Sequence, residues 1–229
     1  MVKPLKRETL KLQITGHLLE AIAQKELLPG ERIIEGKLAQ TLHVSKVTLR
    51  EALQELEYQG LVTKLGNHGT YVTKLSLEDI EDIYEVRLQL EPKAAILAHK
   101  NLTPEHCAEL GRLLETMRYA GIQRNYAEAV KTDMAFHRLV WKIAGRRALE
   151  RALTVASAPF FGFLMSRRYA RLDSEYEKHC ENHLALLTAL KEGGPEEVGK
   201  AFAEHLESSR LDHLDFLRKS QVEQSVVNK

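Results

Sequence analysis

Residues 38–62 read LAQTLHVSKVTLREALQELEYQGLV, and the spacing of their apolar side chains predicts two short, crossing helices. We expect the first helix over residues 35–42 and the second over residues 46–59. Ser45 is a suitable N-cap for the second helix, and Gly60 follows its last turn. The pattern predicts a helix-turn-helix whose shared buried face takes Leu38, Ala39, Leu42, Val44, Leu49, Ala52, Leu53 and Leu56.

The second helix begins with hydroxyl and basic side chains that suit contact with DNA. A recognition helix enters the major groove with its N-terminal residues first, where such side chains meet phosphates and base edges. Arginine can fork onto guanine, and lysine can meet guanine or phosphate. These residue types are also common on surfaces, so a helical hairpin with a solvated end is the alternative. The cluster consists of Ser45, Lys46, Thr48 and Arg50.

A β-hairpin is predicted directly after these helices, because LVTKL and TYVTKL are rich in β-prone residues and are joined by GNHG. At its tip, His68 and Gly69 could reach the DNA backbone or the adjacent minor groove. A first helix is expected over residues 9–24, before a turn at Pro29 and Gly30. A helix-turn-helix followed at once by a hairpin wing is a specific compound signal, and it favours DNA binding.

Composition limits where the protein works. The net charge is +1, which indicates no general affinity for polyanions. Two cysteines, Cys107 and Cys180, form neither a disulfide framework nor a CxxC metal motif, so a reduced, cytoplasmic protein is expected. The N-terminus lacks an apolar signal region, and no apolar run approaches the roughly 18 residues of a membrane-spanning helix. We therefore expect no membrane partner.

The remainder of the chain predicts helices almost throughout. Ser76 should cap the first of them, Pro92 should kink it, and Pro104 should open the next. We expect a mainly α fold: a winged helix-turn-helix over residues 1–75, then an all-α antiparallel bundle of six or seven helices over 76–219. The last residues, 220–229, should form a disordered tail.

Two polar residues interrupt an apolar helix in the stretch TDMAFHRLVW, residues 132–141. Asp133 and His137 lie four residues apart and therefore share a face, where a buried carboxylate needs compensation. One hypothesis is a metal site, since neutral imidazoles with one carboxylate suit Zn²⁺, Ni²⁺, Fe²⁺ or Mn²⁺. The alternative is that Asp133 pairs with a surface cation. Spacing alone does not choose among the further histidines, His179, His183, His205 and His213.

Residues 10–75 resemble the winged helix of GntR-family bacterial transcription regulators, in the segments PGERI, LAQTLHVSKVTLREALQELEYQGLV and NHGTYV. Two positions depart from the family pattern. His43 stands where the family usually has glycine, and Lys46 replaces the usual arginine and loses a bidentate guanine contact. The operator of a relative is therefore not transferable. The resemblance implies DNA contacts from Ser45, Lys46, Thr48, Arg50, His68 and Gly69.

Residues 78–215 resemble the FCD domain, the helical effector domain of FadR-type GntR regulators, in EVRLQLEP, DMAFH, ENHLALLTALKEG and AEHLESS. This resemblance implies a divalent transition metal whose open positions receive the carboxylate of a small organic acid. Arg87 would bind a second acidic group of that acid, or else form a surface salt bridge with Glu81 or Glu91. The implied metal ligands are Asp133, His137, His183 and His205, whereas His179 and His213 fall outside the pattern.

We therefore predict a bacterial, ligand-responsive transcription regulator and not an enzyme. It should bind a pseudo-palindromic double-stranded operator as a homodimer, because one recognition helix gives too few contacts. One alternative is a metal-dependent hydrolase fused to a DNA-binding domain, which the lack of a general-base motif such as HExxH disfavours. The other alternative is a regulator whose bundle only dimerises.

Overall fold

The computed structural model describes residues 10–24, 26–166 and 172–227, and the predicted fold class is confirmed. A winged helix-turn-helix precedes an all-α bundle of six helices over this part of the chain. None of the helices in the described ranges combines the length and the apolar character needed to cross a membrane. The helices are α1 Leu10–Ala23, α2 Glu35–Thr41, α3 Lys46–Tyr58, α4 Leu77–Lys100, α5 Pro104–Ile122, α6 Tyr126–Ile143, α7 Arg147–Ser166, α8 Leu172–Glu192 and α9 Pro195–Val227; the strands are β1 Arg32–Ile33, β2 Val62–Lys64 and β3 Thr70–Val72.

The helix-turn-helix forms from α2 and α3 as predicted. Ser45 caps α3, because its side-chain oxygen accepts a hydrogen bond from the Thr48 backbone N–H at 3.1 Å. His43, in the turn, has a φ of +52°, a left-handed conformation that favours glycine. The turn therefore keeps its shape although it carries a side chain.

The wing is a three-stranded antiparallel sheet in the order β1-β3-β2. The predicted hairpin forms from β2 and β3, and the structure places Thr63 opposite Tyr71. Strand β1 was not predicted, because its two residues are too few to show an alternating pattern. At the tip, the 3₁₀ turn Gly66–His68 leads into Gly69, whose φ of +107° requires glycine.

The bundle begins with the cap that the sequence indicates. The Ser76 hydroxyl accepts a hydrogen bond from the Asp79 backbone N–H, and the Asp79 carboxylate accepts one from the Ser76 N–H. Helix α4 continues through Pro92 without interruption, so the proline removes one backbone donor but does not end the helix.

Helix α9 runs antiparallel to α4 and covers its length. Tyr84 in the first half of α4 contacts His213 in α9, whereas Ile96 near the end of α4 lies against Gly199 near the start of α9. Residues 220–227 continue this helix, although a disordered tail was expected from the sequence. The segment contains no glycine or proline that would stop a helix.

The winged helix and the bundle share one hydrophobic core. Leu18 of α1 and Leu56 of α3 belong to the same cluster of buried side chains as Tyr84 of α4 and Phe160 of α7. Burial of apolar surface therefore holds the N-terminal unit against the bundle, in addition to the chain connection at Ser76.

Two glycines allow the backbone after the end of α3 to contact the backbone of α7 directly. A Cβ on Gly60 would overlap the carbonyl of Ala158, and a Cβ on Gly162 would overlap the carbonyl of Gly60. Beside this contact, Arg138 Nη2 donates to the Tyr58 carbonyl at 3.0 Å, and its guanidinium carbon lies 4.3 Å from the centre of the Tyr58 ring. The C-terminal end of α3 therefore packs against α6 and α7.

Replacing Gly162 with alanine should lower the free energy of unfolding by about 1–3 kcal/mol, because the added methyl overlaps the Gly60 backbone. Gly111 of α5 is the matched control, since nothing lies within 4 Å of a Cβ placed there. Gly111→Ala should raise stability by about 0.5–1 kcal/mol through helix propensity alone. Urea denaturation measures both. A Gly162→Ala protein stabilised like the control would contradict the backbone contact.

Candidate functional site

Four side chains that the sequence singles out come together in the interior of the bundle. Asp133 and His137 project from α6, His183 from α8 and His205 from α9. The three histidines are at most 9% exposed, and the Asp133 side chain is 13% exposed. Three helices therefore bring imidazole and carboxylate donors to one enclosed region.

The donor atoms of the three histidines lie close together, and Asp133 adjoins two of them. One ring nitrogen from each of His137, His183 and His205 lies within 4.8 Å of the other two. Asp133 Oδ1 lies 3.0 Å from His183 Nε2 and 3.4 Å from His137 Nε2. Metal–nitrogen bonds of about 2.0–2.1 Å place the ligand atoms around one ion roughly 3–4 Å apart. The spacing of these groups fits such a site.

Hydrogen bonds on the outer side of the cluster orient two of the histidines. His137 Nδ1 lies 2.8 Å from Glu91 Oε2, and His183 Nδ1 lies 2.9 Å from the His179 backbone carbonyl. Because both partners are acceptors, Nδ1 of each ring carries a proton, and in the neutral form of the ring Nε2 turns its lone pair toward Asp133. A lone pair and a carboxylate oxygen 3.0 Å apart repel each other unless a cation or proton lies between them. The donor set therefore fits a bound cation.

The pKa directions of His205 and Asp133 also suit a metal. Burial, reinforced by His183 and His137, holds the pKa of His205 well below its usual value. Burial alone would raise the pKa of Asp133, but His183 and His179 hold that pKa well below its usual value. Neutral imidazoles and an ionised carboxylate are the forms that bind divalent metals. His205 Nδ1 is buried and has no hydrogen-bond partner among the described residues.

A buried ion pair contacts the cluster through His137. Arg87 Nε donates to Glu91 Oε1 at 2.5 Å, while the other oxygen of Glu91 accepts the bond from His137. Burial alone would raise the pKa of Glu91, but Arg87 and His137 lower it to about 2, so the carboxylate is ionised. The guanidinium carbon of Arg87 also lies 5.1–5.7 Å from the ring centres of Tyr84, Phe160 and Phe161.

The position of Arg87 decides between its two sequence-based interpretations only in part. Its side chain is 3% exposed and its partner Glu91 is fully buried, so a surface salt bridge is wrong. Glu81, the other suggested partner, lies 3.6 Å from Arg218 instead. Contact between Arg87 and an effector stays a prediction.

Two residues outside the predicted ligand set lie beside it, and neither was predicted to belong to the site. Glu91, which the sequence suggested only as a surface partner of Arg87, stands four residues after it within EVRLQLEP, so the two share a helical face. His179 stands four residues before His183, and its Nε2 lies 3.6 Å from Asp133 Oδ2. The family pattern excluded His179, whereas the fold places it next to the cluster.

The predicted DNA-contacting residues of the recognition helix lie at its N-terminus. The hydroxyls of Ser45 and Thr48 lie 2.8 Å apart, and Lys46 is exposed. The Arg50 side chain is 63% exposed, and its Nε donates to Glu35 Oε2 at 2.7 Å. This bond orients the arginine side chain through Nε. The two terminal nitrogens of the guanidinium can still donate hydrogen bonds to a second partner.

The predicted contacts of the wing lie at its tip. His68 is exposed at the end of the 3₁₀ turn, and its carbonyl accepts a hydrogen bond from the Tyr71 hydroxyl at 3.2 Å. Gly69 follows it, with the Arg32 side chain near its backbone. The tip therefore presents a polar side chain, a glycine backbone and a nearby cation.

Comparison with known families divides the chain where the fold does. Residues 10–72 match the family described as bacterial regulatory proteins, gntR family, and residues 82–208 match the FCD domain. The first match covers the winged helix, and the second covers the bundle with the four clustered residues.

Individual relatives agree with this division. The chain is 27% identical to the HTH-type transcriptional regulator McbR of Escherichia coli (strain K12), over 90% of this chain and 93% of that protein. It is 33% identical to the Nta operon transcriptional regulator of Aminobacter aminovorans, over 69% of this chain and 75% of that protein. The solved structure of E. coli McbR/YncC superposes with a TM-score of 0.67 at 26% identity, covering 93% of this chain and all of that one.

Replacing Glu91 with alanine should lower the free energy of unfolding by about 3–5 kcal/mol, because Arg87 would stay buried without its counter-charge. Glu81→Ala is the control, since this carboxylate is 48% exposed and its loss should cost less than about 1 kcal/mol. Combining Glu91→Leu with Arg87→Met should recover part of the loss, because neither charge of the pair is then buried without its partner, although the His137 Nδ1–H still loses its acceptor. Equal stability of the Glu91→Ala and Glu81→Ala proteins in urea would refute the buried pair.

Proposed function

The chain belongs to the GntR family of bacterial transcription regulators and carries an FCD domain, and on this premise we propose that a metal-dependent pocket for a small carboxylate controls its binding to an operator as a homodimer. The relatives are DNA-binding transcription regulators, and this chain is a regulator rather than an enzyme. The metal, the effector, the operator and the dimer are the proposed parts.

The DNA contacts come from the start of α3 and from the wing. Ser45, Lys46, Thr48 and Arg50 stand where a recognition helix meets base edges and phosphates, and His68 and Gly69 would reach the neighbouring backbone or minor groove. Lys46 acts as a point charge, so Arg50 is the residue able to fork onto a guanine. Two copies related by a two-fold axis would read a pseudo-palindrome.

The metal would be held by Asp133, His137, His183 and His205. Imidazoles with one carboxylate suit Zn²⁺, Ni²⁺, Fe²⁺ or Mn²⁺, and an ion of this kind would supply an open position for the carboxylate of a small organic acid. Arg87 is the proposed second contact of that acid. Because its Nε is committed to Glu91, any such contact would use its terminal nitrogens.

One observation carries the regulatory part of this proposal: the helices that enclose the cluster also hold the recognition helix. On α6, His137 belongs to the cluster, and the next residue, Arg138, bonds the carbonyl of Tyr58 in α3. On α7, the Phe161 ring centre lies 6.3 Å from that of His137, and the next residue, Gly162, contacts Gly60.

These two contacts offer a direct route from ligand to DNA. A ligand shifts a conformational equilibrium only by its difference in affinity for the two states. If an ion and an acid bound in the cluster shifted α6 or α7, the surface on which the end of α3 packs would move. The DNA-binding surface of α3 would then move with it. The coupling would then follow packed backbone contacts between the two units.

One experiment tests DNA binding and metal binding together. Two variants are each measured in both assays, so that each variant is the control for the other. The DNA probe is a duplex selected by the wild-type protein from a random-sequence library, and the metal probe is Zn²⁺ alone. Arg50→Ala should weaken DNA binding by about 10–100-fold, since one base contact contributes about 1–3 kcal/mol, and should leave Zn²⁺ binding unchanged. His183→Ala should abolish stoichiometric Zn²⁺ binding and the effect of Zn²⁺ on DNA affinity.

The outcomes separate the alternatives. Unchanged DNA affinity in Arg50→Ala would contradict the assignment of α3 as the recognition helix. Undiminished Zn²⁺ stoichiometry in His183→Ala would contradict the ligand set. A wild-type protein that binds DNA and forms dimers in light scattering, yet takes up no Zn²⁺, would indicate a bundle that only dimerises.

A further inference from the structure

Asp133 lies between two histidines of the same helix, although the family pattern uses only one of them. His179 and His183 are four residues apart on α8 and share a face, with ring centres 4.5 Å apart. His183 Nε2 lies 3.0 Å from Asp133 Oδ1, and His179 Nε2 lies 3.6 Å from Asp133 Oδ2. The two oxygens of one carboxylate therefore face two different imidazoles.

Two groups of possible metal donors overlap at His183. The first group is His137, His183 and His205, and the second is Asp133, His179 and His183; within each group the donor atoms lie within 4.8 Å of one another. The two groups share only His183, and Asp133 Oδ1 links them further because it also lies 3.4 Å from His137 Nε2. An ion that touches both groups would therefore draw the outer donors inward.

His179 also stands apart from the other histidines by its exposure. Its side chain is 29% exposed, whereas those of His137 and His183 are at most 1% exposed. Its backbone carbonyl already holds His183 in place by accepting the bond from Nδ1 at 2.9 Å. The His179 ring thus occupies the solvent side of the two groups, next to both Asp133 and His183.

From this arrangement we infer that His179 is a fifth protein donor to the metal, an inference that rests on the metal site of the proposed function. A six-coordinate ion would then take five donors from the protein and keep a single open position. The five donors would come from Asp133, His137, His179, His183 and His205. The effector class that fits is an acid that binds through one carboxylate oxygen, in preference to one that chelates through two adjacent oxygens.

The alternative role for His179 is to orient Asp133 by a hydrogen bond, and a His179→Gln substitution separates the two roles. The introduced side-chain amide can donate to Asp133 Oδ2, but it is a poor donor to a transition metal. We would therefore titrate the full-length protein with Co²⁺ alone and record its d–d absorption bands. Loss of a nitrogen donor weakens the ligand field and moves these bands to longer wavelength.

The expected result is that His179→Ala and His179→Gln both bind Co²⁺ at least about tenfold more weakly than wild type, with bands at longer wavelength. His17→Ala, which removes an exposed histidine of α1, should match wild type in both measurements. A His179→Gln protein with the wild-type spectrum would overturn the fifth donor and leave His179 as a residue that positions Asp133. Unchanged binding and spectrum in His179→Ala would overturn any role at the metal.

A failure of the metal site itself gives a different pattern. If wild type binds no Co²⁺, or if His183→Ala binds it as tightly as wild type, the proposed metal site fails and the fifth donor fails with it. The single open position has its own test: oxalate, which chelates through two oxygens, should bind Co²⁺-loaded His179→Ala more tightly than loaded wild type, whereas acetate should bind both. Equal oxalate affinities would contradict the single open position.

Discussion

The carboxylate of Glu91 is fully buried, and the arrangement of the bundle around it follows from that constraint. A buried charge is tolerated only when it is paired and hydrogen-bonded, and Glu91 obtains both partners inside the core. One oxygen binds Arg87 of its own helix, and the other accepts a hydrogen bond from His137 of α6. This fixes the His137 ring so that its Nε2 faces Asp133. The Arg87 guanidinium in turn packs on Phe160 and Phe161, which ties α7 to the same network.

The same helices carry the DNA-binding unit, so the two functional regions are not independent modules. Arg138 and Gly162 follow residues of the cluster and its wall, and both contact the last turn of α3 or the glycine after it. A continuous hydrophobic core surrounds these contacts. Close-packed interfaces respond to a change by switching between discrete arrangements more readily than by deforming smoothly. A ligand bound at the cluster, as proposed, would therefore reach the DNA-binding surface through packed contacts.

Features that depend on local sequence were predicted well. The turn at His43, the caps at Ser45 and Ser76 and the wing hairpin arise from residues close together in the chain. Strand β1 was missed because two residues carry no periodicity, and residues 220–227 extend α9 where a tail was expected. In the cluster, helical spacing placed Asp133 and His137 on one face, but only the family resemblance chose His183 and His205.

What the sequence could not indicate depends on three-dimensional packing. Glu91 and His137 lie 46 residues apart in the chain and on different helices, so no local pattern indicates that they pair. His179 has the same spacing to His183 that Asp133 has to His137, so arithmetic on the sequence could not decide its place.

The central claim is that the histidine cluster and the recognition helix are energetically coupled, and thermodynamic linkage tests it directly. Coupling is reciprocal, so DNA must change the affinity for the metal by the same factor by which the metal changes the affinity for DNA. The decisive measurement is the Zn²⁺ affinity of the full-length protein, alone and saturated with its selected DNA duplex. We predict that the two affinities differ by about fivefold or more, a range typical of coupled sites. Equal Zn²⁺ affinities with and without DNA would contradict the coupling.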